Sequence, residues 1–443
     1  AAHPYAKDFS PRKNWSGSQR ALLRVPNQRF RIFGTGLELF SSGGKNIKSE
    51  FPARSPSTWK VNHIKGNPST SALQTSLTKT MRSIKPRRFD PILEEEGLRK
   101  YLDEYGFAVV ASVIENRERI RIHSGLFWDF LEAIPGTTVR RGEPGSWTNR
   151  KDWLPSPGNG IISGFGFGQS EFLWSLRTLP RVRRAFEAIW GGESDLLVSF
   201  DGGNCFRPWN DPELQRDLGS HIKEDWMTQS GWWHVDQNPN VASHRGRVCV
   251  QGVVTLTAAT ENTGGLCVVP GSHKHHDAVC ERAAREYGSL GGDFVPIVEE
   301  DEILRGGALV VCEAGDLVLW DSRTVHCNTP AIDPAPSSPN AAAKREEVGG
   351  LLRLAGYVCM TPAKMATAAV LTERREAFTK GFGTSHWPHE FTSRVAPLPG
   401  MPDRDLSTAP PEVRRLVVGD GGFCGDGDEN NGGDDAAAAD QPR

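Results

Sequence analysis

The residues with the most chemistry in them stand in Gly231-Trp-Trp-His-Val-Asp-Gln237. Side chains alternate along a strand, so His234 and Asp236 fall on one face and can share one metal ion. Alone, the His-x-Asp pair says little. With 12 histidines, chance supplies about 0.7 such matches in a chain of this composition, and a histidine satisfied by a nearby acid explains it equally well. His326, ninety residues after Asp236, changes the weight. It sits in Ala314-Gly-Asp-Leu-Val-Leu-Trp-Asp-Ser-Arg-Thr-Val-His-Cys-Asn-Thr-Pro330, where a Gly-Asp turn launches an apolar strand. A second turn follows at Asp321-Ser322-Arg323, and His326 opens the next strand. Two imidazoles and one carboxylate on neighbouring strands occupy one side of an octahedral ion. The remaining positions stay open for a bidentate co-substrate and dioxygen, the arrangement found in non-haem Fe(II) oxygenases. Structural zinc would call for a closed tetrahedral shell, often with thiolates, which this pattern does not offer. The carboxylate ligand also speaks against a halogenase, where a halide needs its coordination position.

A 2-oxo acid chelating such an ion needs a cation for its distal carboxylate. Arg353, in the apolar run Leu351-Leu-Arg-Leu-Ala-Gly-Tyr-Val-Cys-Met360, fits, because an arginine on a hydrophobic strand must be paired and a carboxylate is its best partner. A buried structural ion pair is the alternative. Ala355, Tyr357 and Cys359 share its strand face. Gln251 is a polar residue in an otherwise apolar strand and is read as a lining residue. Asn204 and Arg207, just before the metal strand, are candidates to reach substrate. His273 is expected to shape a loop, and His275 and His276 to sit on an exposed helix start. Trp232, Trp233 and Trp320 read more readily as core than as substrate platforms, although Trp232 lies on the ligand face. Cys327 points to the opposite strand face from His326 and is assigned no catalysis. The run Gly164-Phe-Gly-Phe-Gly-Gln-Ser170 lacks the Lys-Ser/Thr of a phosphate loop and reads as a lid or turn.

The elements that must position these residues follow from periodicity. Leu93, Leu98 and Leu102 mark one face of a helix over 92–105, ended by Gly106. A buried strand is expected over 107–113, helices over 116–133 and 169–190, and a helical stretch over 362–378. Between 195 and 360 the texture turns to eight short β runs: 195–200, 231–237, 247–257, 265–269, 308–312, 316–321, 324–328 and 351–360. Such spacing suggests a sandwich or barrel.

Composition bounds the rest. Of 443 residues, 47 are Gly and 30 Pro, which suits many turns better than a helical bundle. No run approaches the 18 apolar residues that suggest a membrane span. The net charge of −2 hides a basic head: residues 1–88 carry 17 Lys/Arg against three acids, while 419–443 carry seven acids against one Arg. The middle is therefore mildly acidic, a poor match for a nucleic-acid backbone, and no nucleic-acid partner is expected. Residues 1–88 read as a disordered basic extension, with a transit segment or a nucleic-acid-binding arm as alternatives. An enzyme domain is expected over 89–400, with its β core about 195–362, followed by an acidic, disordered Gly/Asp-rich tail over 401–443. Eight cysteines without a C-x-x-C pair read as reduced thiols. The expected compartment is intracellular, cytoplasmic by default, or an organelle if the head is a transit segment.

Taken in order, these features resemble the phytanoyl-CoA dioxygenase-like branch of the Fe(II)/2-oxoglutarate oxygenases. The matching stretches are Leu102-Asp-Glu-Tyr-Gly-Phe-Ala-Val-Val110, the pair 234/236, Asn262-Thr-Gly-Gly-Leu-Cys-Val-Val-Pro-Gly-Ser-His273, the Gly-Asp strand leading to His326, and Arg353. Together they cover about 100–362. The resemblance implies an α+β fold with a mainly β core, a double-stranded β-helix (jelly roll, cupin-like) braced by helices. It also implies Fe(II) on His234, Asp236 and His326, and 2-oxoglutarate on Arg353, with Asn328 and Gln251 as further co-substrate contacts. The implied reaction is hydroxylation, or another oxidation, of a small organic metabolite with dioxygen, releasing succinate and CO2. A macromolecule-modifying oxygenase recruited by the basic head, or an inactive jelly-roll binding protein, are the alternatives. The arginine follows the distal histidine by 27 residues where about ten is usual. Ala331–Gly350 therefore reads as a loop inserted in that hairpin, which would preserve the register.

Overall fold

The computed structural model describes residues 82–288, 291–332, 345–391 and 394–423. Most of the basic head, the last twenty residues, and 333–344 of the expected insertion lie outside the described residues. In chain order the described strands are β1 (Arg82–Ile84), β2 (Arg88–Phe89), β3 (Phe107–Val110), β4 (Ile161–Ile162), β5 (Leu196–Val198), β6 (Gly203–Phe206) and β7 (His234–Val235). They continue with β8 (Val250–Thr255), β9 (Gly265–Val268), β10 (Val295–Pro296), β11 (Ala308–Val310), β12 (Leu317–Asp321), β13 (His326–Thr329) and β14 (Arg353–Pro362).

The strands make two sheets. One runs β1-β11-β9-β13-β7-β10, the other β2-β3-β12-β8-β14-β6-β4 with β5 also on β14. All pairings are antiparallel except β1 with β11 and β2 with β3. Alternation sorts every strand into an inner and an outer face. Val253, Val318, Trp320 and Ala355 of the larger sheet meet Leu266, Val268 and Val310 of the smaller one inside the roll. The odd partners, Val254, Leu317, Leu319, Leu354 and Val358, face outward into helices Arg117–Glu132, Glu171–Arg177 and Pro180–Ile189. On the far side, Cys267 and Cys327 pack with Val279, Cys280 and Ala283 of helix His276–Tyr287. The fold is thus a jelly roll braced by helices on both outer faces, the expected class.

Several expectations change in detail. The helix expected over 169–190 is two helices, Glu171–Arg177 and Pro180–Ile189, because Pro180 drives Leu179 out of helical geometry (φ −59°, ψ 125°). Order begins before residue 90. β1 pairs with β11, and the Arg88 guanidinium donates to both carboxylate oxygens of fully buried Asp316, at 2.9 and 2.7 Å. The expected tail from 401 also starts too early. Helix Pro411–Val418 buries Val413, Leu416, Val417 and Val418 against the larger sheet's side of the core. Nor is the link from β13 to β14 a hairpin. β13 pairs with β7 and β9 while β14 pairs with β8, β6 and β5, so the connection crosses from one sheet to the other.

Candidate metal and co-substrate site

β7 and β13 run side by side, with His234 directly opposite His326. Both imidazoles point into the roll, their ring centres 4.2 Å apart. Each is oriented by its own chain: Nδ1–H of His234 donates to the Trp232 carbonyl at 3.0 Å and Nδ1–H of His326 to the Thr324 carbonyl at 2.9 Å. With Nδ1 committed, each Nε2 is left free as a metal ligand. Asp236, one residue past β7, places Oδ1 3.5 Å from His234 Nε2 and Oδ2 3.3 Å from His326 Nε2. One ligand atom from each of the three lies within 4.8 Å of the others. Among the described residues this is the one cluster of three such side chains that could hold a metal ion.

The electrostatics agree with that use. Burial opposes ionisation of Asp236, but the two imidazoles beside it hold its carboxyl well below the ordinary carboxylate range. Burial, with the charge of His234, pushes His326 down, the form in which imidazole binds a metal. Gln251 on β8 donates its amide N–H to Asp236 Oδ2 at 2.9 Å. His386, from the coil after helix Ala368–Lys380, donates to the Asp236 backbone carbonyl at 3.2 Å. The donor set of two nitrogens and one oxygen, with no thiolate or fourth protein ligand among the described residues, fits Fe(II) and leaves coordination positions open.

A cavity of about 320 Å³ opens from these ligands between the sheets. At its inner end lies Arg353, first residue of β14 and only 3% exposed. Its Nε and Nη1 are buried with no hydrogen-bond partner, and no carboxylate lies within ion-pair distance among the described residues. The Phe206 ring, 5.3 Å from its guanidinium carbon, faces the charge. Burial therefore lowers its pKa, with Tyr357 opposing. Among the described residues the ion-pair alternative from the sequence finds no partner carboxylate. The rival Arg345 is occupied by Asp211. Gly265 makes room for the group, since a Cβ there would stand 3.0 Å from Arg353 Nη1.

Other candidates sort themselves by geometry. Asn328 lines the cavity beside Tyr357, whose phenol burial pushes up. Gln251 lines it too, but its amide is directed to Asp236. Arg207 is not a substrate group: it donates to the carbonyls of Trp147 and Asp225 between the rings of Trp153 and Trp226. Asn204 likewise donates to the Asn159 carbonyl at 2.7 Å. His276 is buried, not exposed, and donates to the Gln237 carbonyl at 2.6 Å. His273 holds a loop by donating to the Asp103 carbonyl. Trp233 is core, whereas Trp232 and Trp320 line the cavity. Phe294, His386 and Asp201 were not singled out by the sequence; they sit in turns and coil, where no periodicity marks a face.

Comparison with known proteins gives three findings. Residues 207–330 match the family model described as phytanoyl-CoA dioxygenase (PhyH), a segment holding the two histidines, Asp236, Gln251 and Asn328 and ending before Arg353. A curated relative, Ava biosynthesis cluster protein O of Aspergillus versicolor, is 29% identical over 264 residues, 56% of this chain and 73% of that protein. Among solved structures, EctD from S. alaskensis with 2-oxoglutarate and 5-hydroxyectoine aligns with TM-score 0.37 and 15% identity, covering 64% of this chain and 81% of EctD. The non-heme alpha ketoglutarate dependent carbocyclase SnoK from nogalamycin biosynthesis aligns with TM-score 0.34 and 14% identity, covering 62% and 88%.

Proposed function

We propose that the chain is a phytanoyl-CoA dioxygenase-like oxidoreductase of the Fe(II)/2-oxoglutarate class, that His234, Asp236 and His326 hold its Fe(II) and that Arg353 holds the distal carboxylate of 2-oxoglutarate. The enzyme acts on a small organic molecule, and hydroxylation is the reaction we assign. The observation that carries the reading is the buried, unpaired guanidinium of Arg353 in the same cavity as the three metal-ligating side chains.

When bound, Fe(II) and 2-oxoglutarate together supply the oxidising chemistry, in which dioxygen and a C–H bond give an alcohol, succinate and CO2. The chain's own part is positional. The Trp232 and Thr324 carbonyls fix which nitrogen each histidine presents, and Gln251 holds the rotation of the Asp236 carboxylate. Arg353 orients the co-substrate by a bidentate, charge-assisted contact. Asn328 and Tyr357 line the path between the arginine and the metal ligands. Apolar walls from Val253, Leu266 and Trp320 exclude bulk water. An intracellular setting is supported by the seven described cysteines, all buried, with no disulfide among the described residues. No described helix is long and apolar enough to cross a membrane.

The test is anaerobic titration of the full chain with Fe(II) and 2-oxoglutarate, following the visible charge-transfer band of the chelate. The wild type should develop the band and His234→Ala should not. A wild-type protein that takes up Fe(II) without the band refutes the reading.

A further inference from the structure

One acidic group in the cavity is used by nothing above. Asp201 lies in the turn between β5 and β6, and its carboxylate lines the same cavity as the metal ligands. Its mount is built. Arg177, itself fully buried, donates through Nη2 to the Asp201 carbonyl at 2.6 Å and through Nη1 to the Gly168 carbonyl at 2.6 Å. The next residue must be glycine, because a Cβ on Gly202 would stand 1.7 Å from the Ile162 carbonyl oxygen. The carboxylate itself accepts only from its neighbour's backbone, Gly202 N–H to Oδ1 at 2.6 Å. Among the described residues no cation lies within ion-pair distance of it. Burial raises its carboxyl above the ordinary value, with His386 and Arg177 opposing and Asp236 adding to the rise.

Charge counting gives the group a purpose, and this step rests on the proposed function. With Fe(II) and the 2-oxoglutarate dianion in place, their charges cancel, and Asp236 is offset by Arg353. Asp201 is left as the remaining acid among the cavity-lining residues, its charge partly offset by His386 and by Arg177 behind its backbone carbonyl. The same cavity has an aromatic wall. His234 is stacked between Trp232 (centroids 4.9 Å, 11°) and Phe294 (4.6 Å, 24°). Phe294 is 44% exposed, one of the few large apolar side chains of this fold left uncovered, and it stands beside the metal ligands.

We propose that Asp201 and Phe294 form the substrate subsite, which takes a molecule carrying a flat ring and a hydrogen-bond donor, bound most tightly when the donor is a protonated nitrogen. The ring covers Phe294, the donor meets the Asp201 carboxylate, and an anionic group in the same place is rejected by like charge. Asp201 is thereby a specificity residue and takes no part in holding metal or co-substrate.

The test uses four probes built on one ring: benzylamine, benzyl alcohol, toluene and benzoate. Their affinities are measured calorimetrically on the full chain loaded anaerobically with Fe(II) and 2-oxoglutarate, after the charge-transfer band has been read. The expected order is benzylamine, benzyl alcohol, toluene, benzoate, with at least a tenfold gap between the first and last. Asp201→Asn should weaken benzylamine about tenfold and leave toluene unchanged, and Asp201→Glu should restore part of the preference. Benzoate binding as well as benzylamine to the wild type overturns the subsite, whatever the variants do. So does benzylamine affinity that is indifferent to Asp201→Asn. Absence of the band in the wild type would instead count against the oxygenase reading itself.

Discussion

Replacing Arg353 by methionine should move two observables in opposite directions. In the metal-free protein two buried N–H groups of the guanidinium lack partners, and each such group costs about 1–3 kcal/mol. The Phe206 ring offsets part of that, about 1–2 kcal/mol for a desolvated cation over an aromatic face. Methionine keeps an unbranched apolar stem in the space that Gly265 leaves open, so the variant should be as stable as the wild type or up to about 3 kcal/mol more stable. At roughly 2 °C per kcal/mol for a domain of this size, Tm holds or rises by up to about 6 °C. Co-substrate binding moves the other way. Removing one partner of a buried charge pair costs about 2–5 kcal/mol, so the Kd for 2-oxoglutarate should rise from about 30-fold to several thousand-fold. Scanning calorimetry of the metal-free chain and anaerobic titration of the Fe(II)-loaded chain read the two effects separately. A variant that loses several kcal/mol of stability, or keeps its 2-oxoglutarate affinity within threefold, would show that Arg353 has an internal partner and refute the reasoning.

Three further outcomes can be measured. Gln251→Leu removes the hydrogen bond to Asp236 Oδ2 and should lower Fe(II) affinity about 10- to 100-fold by competition with a chelator, while thermal stability changes little. His123 and His389 are buried and pushed down to about 4, so the unfolded chain binds protons that the folded chain refuses. Stability should therefore be full above pH ~6.5 and fall by a few kcal/mol as pH drops from there to about 4; urea unfolding of His389→Gln should show a shallower decline. Asp316→Ala leaves Arg88 with only the more exposed Glu313 as a partner and frees the backbone N–H groups of Ser112 and Glu313, so urea unfolding should show a loss of about 3–5 kcal/mol.

The candidate metal-binding cluster was legible because strand alternation is a local rule. His234 and Asp236 needed only their spacing, and His326 the Gly-Asp turn and apolar strand before it. Arg353 was legible for a different reason, a charge in an apolar run, although its route to the cavity was misread as a hairpin. The sheet crossing depends on which strands pair, and pairing partners are set by tertiary packing and leave no trace in a single strand's pattern. The same limit hid Asp201, Phe294 and His386, whose positions come from turns and coil. The segment Ser199–Pro208 did draw notice, but to Asn204 and Arg207, polar residues that the structure assigns to backbone carbonyls. The break at Pro180 could have been seen, since proline is a local signal.

The Arg88–Asp316 contact and the pairing of β1 with β11 have a practical side. The compositional edge of the basic leader, at residue 88, and its architectural edge, before residue 82, are different places. A truncation at the first would strip an edge strand from one sheet and uncap a buried acid beneath the other, so a deletion meant to ask what the leader recruits would report on a damaged barrel. A deletion that keeps residues 82–88 keeps both of those contacts.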